Sequence, residues 1–330
     1  MLDILLIIIL LAILFDISNG WNDSANAIAT VVSTKVLSPL AAVTMAAVMN
    51  ILGAFLTTAV AKTIGKGIVD PTAVTDMVIM AALLSAFLWN TIMTLLGLPV
   101  SASHALVGGL IGAATAHGGF GILNSEGITK ILTALIVSPF LGILIGFGFM
   151  KLILKTFGRM APSRINKYFG KLQILSSAFM AFGHGSNDAQ KVMGIITMAL
   201  LSRGMISTLD VPTWVIFTAA LAMGFGTFFG GWKVIKTIGV KMLKLQPIHG
   251  FAAETSATMI IIGASQFGLP VSTTHVISTA IMGVGATSRL SAVRWGVAGK
   301  IVMAWVLTLP FCIVLAWGLE KVLTAYHIGG

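Results

Sequence analysis

Apolar runs recur from one end of this chain to the other, and they constrain its fold more than any other feature. Leu2–Leu14, Ala41–Ala61, Ile131–Met150 and Val211–Gly230 are dominated by aliphatic, aromatic and small residues, many approaching the roughly 20 residues that an α-helix needs to cross a bilayer. Only 9% of the 330 residues are charged and 57% are hydrophobic, against roughly a quarter charged in an average soluble domain. An all-α polytopic membrane protein is expected, in contact with membrane lipid. Apolar segments continue to the C-terminus, so Leu2–Leu14 reads as structure and not as a cleaved leader. The net charge of +10 reports topology, because basic residues gather on the cytoplasmic side of membrane proteins, and no nucleic-acid partner is expected. Cys312 is the single cysteine and lies in an apolar run. It excludes an internal disulfide and a multi-cysteine metal site.

The sequence repeats itself. Gly97-Leu98-Pro99-Val100-Ser101-Ala102-Ser103-His104 returns as Gly268-Leu269-Pro270-Val271-Ser272-Thr273-Thr274-His275, identical at six of eight positions. Gly20-Trp21-Asn22-Asp23 and Gly185-Ser186-Asn187-Asp188 form a second pair, in the same order within each half. Inverted repeats are a common way of building transporters. The expected organisation is a first transmembrane repeat over 1–150, a basic linker over 151–171 and a second, inverted repeat over 172–330. The linker carries Lys151, Lys155, Arg159, Arg164, Lys167 and Lys171 with no acid, which places it in the cytoplasm.

Lys233, Lys236, Lys241 and Lys244 mark a second basic loop, and Arg289 with Arg294 a third. The segment between them, Phe251–Thr287, is apolar but broken at Gly268-Leu269-Pro270, so it reads as a re-entrant helical hairpin with its tip at Val271–His275. Non-helical backbone at membrane depth is tolerated only where it is buried in protein or lines a watery cavity. The repeat makes Met77–His117 the matching hairpin. About three crossing helices plus one hairpin per half then put both termini outside a cell's inner (plasma) membrane. The charges agree: 13 basic residues fall inside and five (Lys62, Lys66, Lys130, Arg203, Lys321) outside, with Lys191 and Lys300 uncounted.

Two constellations carry chemistry. At the hairpin tips, Pro99 and Pro270 are expected to stop one half-helix. Ser101, Ala102 and Ser103, with Ser272, Thr273 and Thr274, begin the next, presenting free N–H groups and small hydroxyls. A helix N-terminus carries partial positive charge and unpaired donors, which suits a tetrahedral oxyanion, although the same residues also serve as ordinary N-caps. The second constellation is the Asn-Asp pair. Asn22, Asp23 and Asn26 lie within about one turn, and Asn187, Asp188 and Gln190 repeat the arrangement. Acids within apolar spans are costly, and they mark functional sites or cap a broken helix. Oxygens of Asn22, Asp23 and Asn26 suit sodium, and a carboxylate of raised pKa suits a proton. Lys191 stands where the first half has Asn26, so its ammonium either replaces a bound cation beside Asp188 or complements the anion. His104 and His275 carry protons or bond neighbouring carbonyls, His184 occupies the place of Asn19, and Glu254 is a first-turn helix acid or a gate.

At these residues the sequence resembles the inorganic phosphate transporter (PiT) family, whose members carry a Gly-x-Asn-Asp signature in each half and a Gly-Leu-Pro-Val-Ser-x-x-His hairpin motif. The resemblance spans essentially the whole chain. It implies an inverted-repeat fold, symport of inorganic phosphate with protons or sodium, no cofactor, and a homodimer. The second signature, Asn187-Asp188-Ala189-Gln190-Lys191, departs from the sodium-coupled pattern and is similar to the bacterial low-affinity branch, associated with protons and metal-phosphate. Arsenate and sulfate are related cargoes, since the family includes sulfate permeases. A passive anion channel and an intramembrane serine hydrolase are rival readings. The coupling acids oppose the first, and a missing third orienting residue opposes the second. No Gly-x-x-x-x-Gly-Lys-Ser/Thr run is present to drive transport by ATP within this chain.

Overall fold

A computed structural model of the chain describes residues 2–326, and these fold as helices joined by short turns. The first half runs α1 (Leu2–Ser33), α2 (Pro39–Gly53), α3 (Ala59–Gly67), α4 (Asp76–Leu96), α5 (Ala102–Gly118) and α6 (Ser125–Phe157). The second runs α7 (Pro162–Ser202), α8 (Thr213–Phe229), α9 (Trp232–Lys236, extended by a π-turn over Thr237–Lys241), α10 (Pro247–Gln266), α11 (Thr273–Ser288) and α12 (Trp295–Ala325). Each half therefore reads long helix, helix broken in two, helix–turn–helix, long helix. Among the described residues, α1, α4, α6 and α12 are long and apolar enough to cross a membrane, and α8 with α9, bent by 62°, makes a fifth if counted as one span. At 41 residues α7 has the length, but the polar run from His184 to Lys191 lowers its hydropathy.

Local sequence explains where the helices stop. Gly97 and Gly268 take left-handed backbone (φ 73° and 65°). The N–H of Leu98 returns to Met93 O at 2.9 Å and that of Leu269 to Ala264 O at 2.9 Å, closing a Schellman turn in each hairpin. The glycine ends the helix, so the proline two residues on follows a stop already made. The expected basic loops are also mostly helical. Lys151 and Lys155 continue α6, Arg164, Lys167 and Lys171 open α7, and only Gly158–Ala161 separate the two helices. Lys233, Lys236 and Lys241 lie on α9 and its π-turn. A lysine stem packs along an apolar helix face as its ammonium reaches water, so a basic run need not be a loop.

The halves interlock. Helix α1 packs on α8 and α7 on α2, while α5 packs on α12 and α11 on α6, so each half's hairpin closes against the other half's last helix. Both hydrophobic cores draw on both halves, one joining Ile8, Leu106, Met193 and Met223, the other Ile28, Met180, Val276 and Ile301. Helix association in lipid depends on close van der Waals approach more than on water exclusion, and matched glycines supply it. A Cβ on Gly20 would strike the carbonyl of Met223 on α8, and one on Gly185 that of Asn50 on α2. Helices α1 and α7 also touch directly: Ser177 Oγ donates to Ala27 O at 2.7 Å, and His184 lies beside Asp23. Positions fall along α1 as they rise along α7, so the two helices run antiparallel.

Candidate oxyanion and cation site

The residues at Asp16, Asn19, Asp23, Asn26 and Thr30 recur at three- and four-residue steps, which puts them on one face of α1. Gln173, Ser177, His184, Asp188 and Lys191 share a face of α7 in the same way, at steps of three, four and, once, seven residues. The two polar stripes meet along the α1–α7 contact, and the hairpin tips close over their middle.

Asp23 and Asp188, 165 residues apart, converge there. Thr274 Oγ1 donates to Asp23 Oδ1 at 2.9 Å, and Thr273 Oγ1 lies 3.2 Å from Asp188 Oδ2 and 3.4 Å from Asp23 Oδ2. Asn26 Nδ2 donates to Thr274 Oγ1 at 3.0 Å. Lys191 Nζ is paired with Asp188 Oδ2 at 2.8 Å, with both side chains buried. Breaking a buried pair of this kind costs about 3–5 kcal/mol because the remaining charge is left uncompensated. Asp23, Asp188, Lys191, Thr273 and Thr274 each expose 1% or less, so this conformation is closed to solvent.

The two tips touch. Ser103 Oγ donates to Val271 O at 2.9 Å, and the His104 and His275 rings lie 4.7 Å apart, with His275 stacked on Trp305 at 4.0 Å. Trp305 Nε1 in turn donates to Pro99 O at 3.0 Å. Ser101 and Ser272 are the N-caps of α5 and α11, each accepting from the histidine N–H three residues on at 3.2 Å. Each cap occupies one donor. A helix start has four N–H groups without intrahelical partners, so backbone at Ala102, Ser103, Thr273 and Thr274 retains the donors that an oxyanion takes.

Not every expected residue joins this cluster. Asn22 Nδ2 donates to Thr94 Oγ1 at 2.7 Å and Asn187 Nδ2 to Ser265 Oγ at 3.0 Å, so each signature asparagine braces its own half's hairpin. Asn22 Oδ1 accepts from Val100 N at 3.4 Å, so both ends of its amide reach the first hairpin. Gln190 Oε1 accepts from Val60 N at 2.8 Å and Ala61 N at 3.2 Å, capping α3. Ser24 Oγ matches it from α1, accepting from Gly231 N at 2.8 Å where α9 begins. Glu254 is not in the first turn of α10: it is fully buried and accepts from Thr30, Ser176 and Gln173, tying together α1, α7 and α10.

Sequence reasoning set His184 in the place of Asn19 but gave it no role, and the structure brings it to the two acids. Its Nε2 lies 3.4 Å from Asp188 Oδ2 and 3.6 Å from Asp23 Oδ2, and one ligand atom from each of these three residues falls within 4.8 Å of the others. Its tautomer follows from a chain of bonds. Thr227 donates its hydroxyl hydrogen to Met223 O at 2.9 Å, so it accepts from Asn50 Nδ2 at 2.8 Å. Asn50 Oδ1 is thereby turned to His184 Nδ1 at 2.9 Å, which makes Nδ1 the donor. In the neutral imidazole Nε2 then presents a lone pair to two carboxylates. Three acceptors converge, and a proton or a metal cation belongs between them. The signal available in the sequence was its position, since His184 repeats Asn19 on the same helical face.

An all-helical, multi-pass membrane protein with an occluded polar centre built from two sequence repeats is the architecture of a transporter. Comparison with known proteins agrees. The Phosphate transporter family matches residues 19–163 and 156–316, and this chain belongs to that family. It is 49% identical over 321 residues to the "Probable low-affinity inorganic phosphate transporter" of Bacillus subtilis (strain 168), covering 95% of this chain and 96% of that protein. A protein of the same description from Rhizobium meliloti (strain 1021) is 45% identical over 305 residues, covering 92% and 91%. A solved structure described as "The sodium-dependent phosphate transporter" superimposes with a TM-score of 0.91 at 28% identity, over 98% of this chain and 99% of that one. These relatives are transporters and not enzymes.

Proposed function

We propose that this chain imports inorganic phosphate with a coupling cation, protons in preference to sodium, by alternating access around the centre where the hairpin tips meet α1 and α7. The observation that carries this reading is the convergence of Asp23 and Asp188 on the Thr273 hydroxyl at the start of α11. Donors for an oxyanion and acceptors for a cation share one closed site, so occupancy of either changes the electrostatic cost of the other. Backbone N–H groups and hydroxyls of Ser103, Thr273 and Thr274, with Ser101, Ser272 and Ala102 shaping the helix starts, hold phosphate. Asp23, Asn26 and Asp188 couple the cation, and Asn22 and Asn187 act by holding the hairpins. Lys191 stands as a fixed cation in the second half. His184, locked with its donor on Asn50, supports the proton over sodium, because an imidazole nitrogen is a poor ligand for a hard alkali cation. The antiparallel course of α1 and α7 supports inverted repeats, and the basic residues gathered at 151–171 support placing both termini outside.

The test is uptake of labelled phosphate into proteoliposomes under separately imposed pH and sodium gradients. Accumulation driven by the pH gradient is expected, with Asp23→Asn and Asp188→Asn each lowering it by about tenfold or more, the scale of one lost buried charge interaction. Full cation-coupled uptake by both variants would remove the coupling role. A strict sodium requirement would overturn the choice of ion.

A further inference from the structure

The turns at the bases of the two hairpins share one backbone frame, and the proposed cycle uses neither. Asn124 N donates to Ile68 O at 2.9 Å where α6 begins, and Arg294 N donates to Met242 O at 3.0 Å where α12 begins. A short 3₁₀ turn leads into each bond, Phe120–Ile122 in the first half and Leu290–Ala292 in the second. Each frame borders a surface cavity, of about 550 Å³ and about 330 Å³ respectively. Their charges differ. Lys66, Asp70 and Asn124 line the first, a balanced set. Lys244, Arg289 and Arg294 line the second with His249, Ser288 and Ser291, and no acid joins them. Counted from the shared bond, Lys244 stands in the place of Asp70 and Arg294 in that of Asn124.

The frame itself does not require these cations, since it closes in the first half with a neutral set. Among the described residues none of Lys244, Arg289 and Arg294 is ion-paired, and the Arg294 guanidinium reaches Lys241 O at 3.5 Å. Helix α6 runs parallel to α11, with Gly142 on Val276 and Gly146 on Ala280, so the basic linker 151–171 lies at this same end. No acid occurs in that linker, in 233–246 or in 288–294. A topology signal asks only for basic residues near helix ends. It does not ask that the end of α11 and the residues before α10 and α12 bring three cations and two hydroxyls to one cavity. Guanidinium forks, an ammonium and hydroxyls are the groups that hold a phosphate. Trp295 and Leu290 are exposed beside it, and Trp295 Nε1 donates to Leu290 O at 2.9 Å. An exposed tryptophan next to cations marks headgroup depth, where lipid phosphates and free phosphate both arrive.

We infer that this cavity is a binding site for a phosphate group, separate from the transport centre and filled from the cytoplasmic side by free phosphate or by an anionic lipid headgroup. An anion held there joins both arms of the second hairpin, α10 and α11, to the start of α12. It thereby restrains the hairpin whose other end presents Thr273 and Thr274. The inference takes from the reading above only which face is cytoplasmic, and it does not depend on the coupling ion.

The experiment uses full-length protein. In detergent, Tm is titrated with inorganic phosphate and with glycerol phosphate at constant ionic strength, which removes general screening. Phosphate at the transport centre stabilises wild type and variants alike, so the site is read from the difference between them. Lys244→Gln combined with Arg294→Gln is expected to need about tenfold more ligand, or beyond, for the same rise in Tm. Arg289→Gln alone should shift it less in the same direction, and Lys66→Gln in the opposite cavity should match wild type. All four residues are exposed, so glutamine leaves the packing intact. To separate the two sources, the protein is placed in phosphatidylcholine vesicles with or without phosphatidic acid, and phosphate is varied on the cytoplasmic face. A change in uptake with phosphatidic acid that the double variant loses assigns the site to lipid; a change with cytoplasmic-face phosphate that it loses assigns the site to the free ion. Equal responses of wild type and double variant in detergent and in vesicles overturn the inference and leave these residues as topology signals. A variant-dependent response in detergent from a protein that takes up no phosphate would overturn the transport reading while leaving this site standing.

Discussion

Setting Asp23 of α1 on Asp188 of α7 pairs Gly20 with Gly185 and Asn22 with Asn187, but it also pairs Asp16, Asn19 and Asn26 with Ala181, His184 and Lys191. The first two pairs do the same work in each half. Each glycine admits the neighbouring backbone, and each asparagine holds its own hairpin through Thr94 or Ser265. The other three differ in charge. Helix α1 offers acceptors with unfilled valence at Asp16, Asn19 and Asn26, while α7 offers an ammonium already seated on Asp188 and an imidazole fixed by Asn50. Packing positions need the same shapes in both copies, so they stay alike. The polar positions share one buried centre, where two equal sets of negative charge would repel, and the Lys191 ammonium offsets that charge from one copy only.

The largest effect expected from disturbing this difference comes from Lys191→Asn, which makes the second copy read like the first. In sodium-free buffer, phosphate uptake into proteoliposomes should fall by about a hundredfold, because breaking the buried Lys191–Asp188 pair costs about 3–5 kcal/mol. Added sodium should restore part of it. Unchanged uptake in sodium-free buffer would mean that the fixed ammonium does not set the coupling ion. A smaller and equal effect tests the similarity. Asn22→Ala and Asn187→Ala should each destabilise by about 1–3 kcal/mol, the cost of leaving a buried partner unbonded, and a clear difference in their Tm values would mean that the hairpins are not held alike. The smallest effect lies at the periphery, where Lys62 Nζ sits 2.7 Å from Asp210 Oδ1 in the loop before α8. The ammonium holds the exposed Asp210 carboxyl below its ordinary value. That pair's contribution is present at neutral pH and is lost as pH falls below the usual carboxylate range, through the folded-state value. Lys62→Ala should therefore shift Tm slightly at pH 7, much less at high salt, and not at all in strong acid.

Much of the site was legible because buried polar residues in apolar surroundings stand out. Asn22, Asp23, Asn187, Asp188 and the two hairpin tips were readable on that ground, and repetition strengthened each. Gln190 was readable as polar but not as the cap of α3, since its partner lies 130 positions away. His184 was a visible letter four residues before Asp188 on α7, but its importance depended on a register: only with α1 and α7 side by side does it also face Asp23. Lys233, Lys236 and Lys241 look like a loop in one dimension because charge is a weaker guide than hydrogen bonding to where a helix ends.

By itself the sequence determined the all-helical membrane class, the order of elements in each half and the breaks in the two hairpins, because these follow from local hydropathy and composition, while the backbone showed that Gly97 and Gly268, not the prolines, make the stop. Only the tertiary structure decided that the halves interlock, that Asp23 and Asp188 share one threonine hydroxyl, and that Asn50 fixes the His184 tautomer. Those outcomes depend on distances between groups far apart along the chain, and no local preference of either partner specifies them.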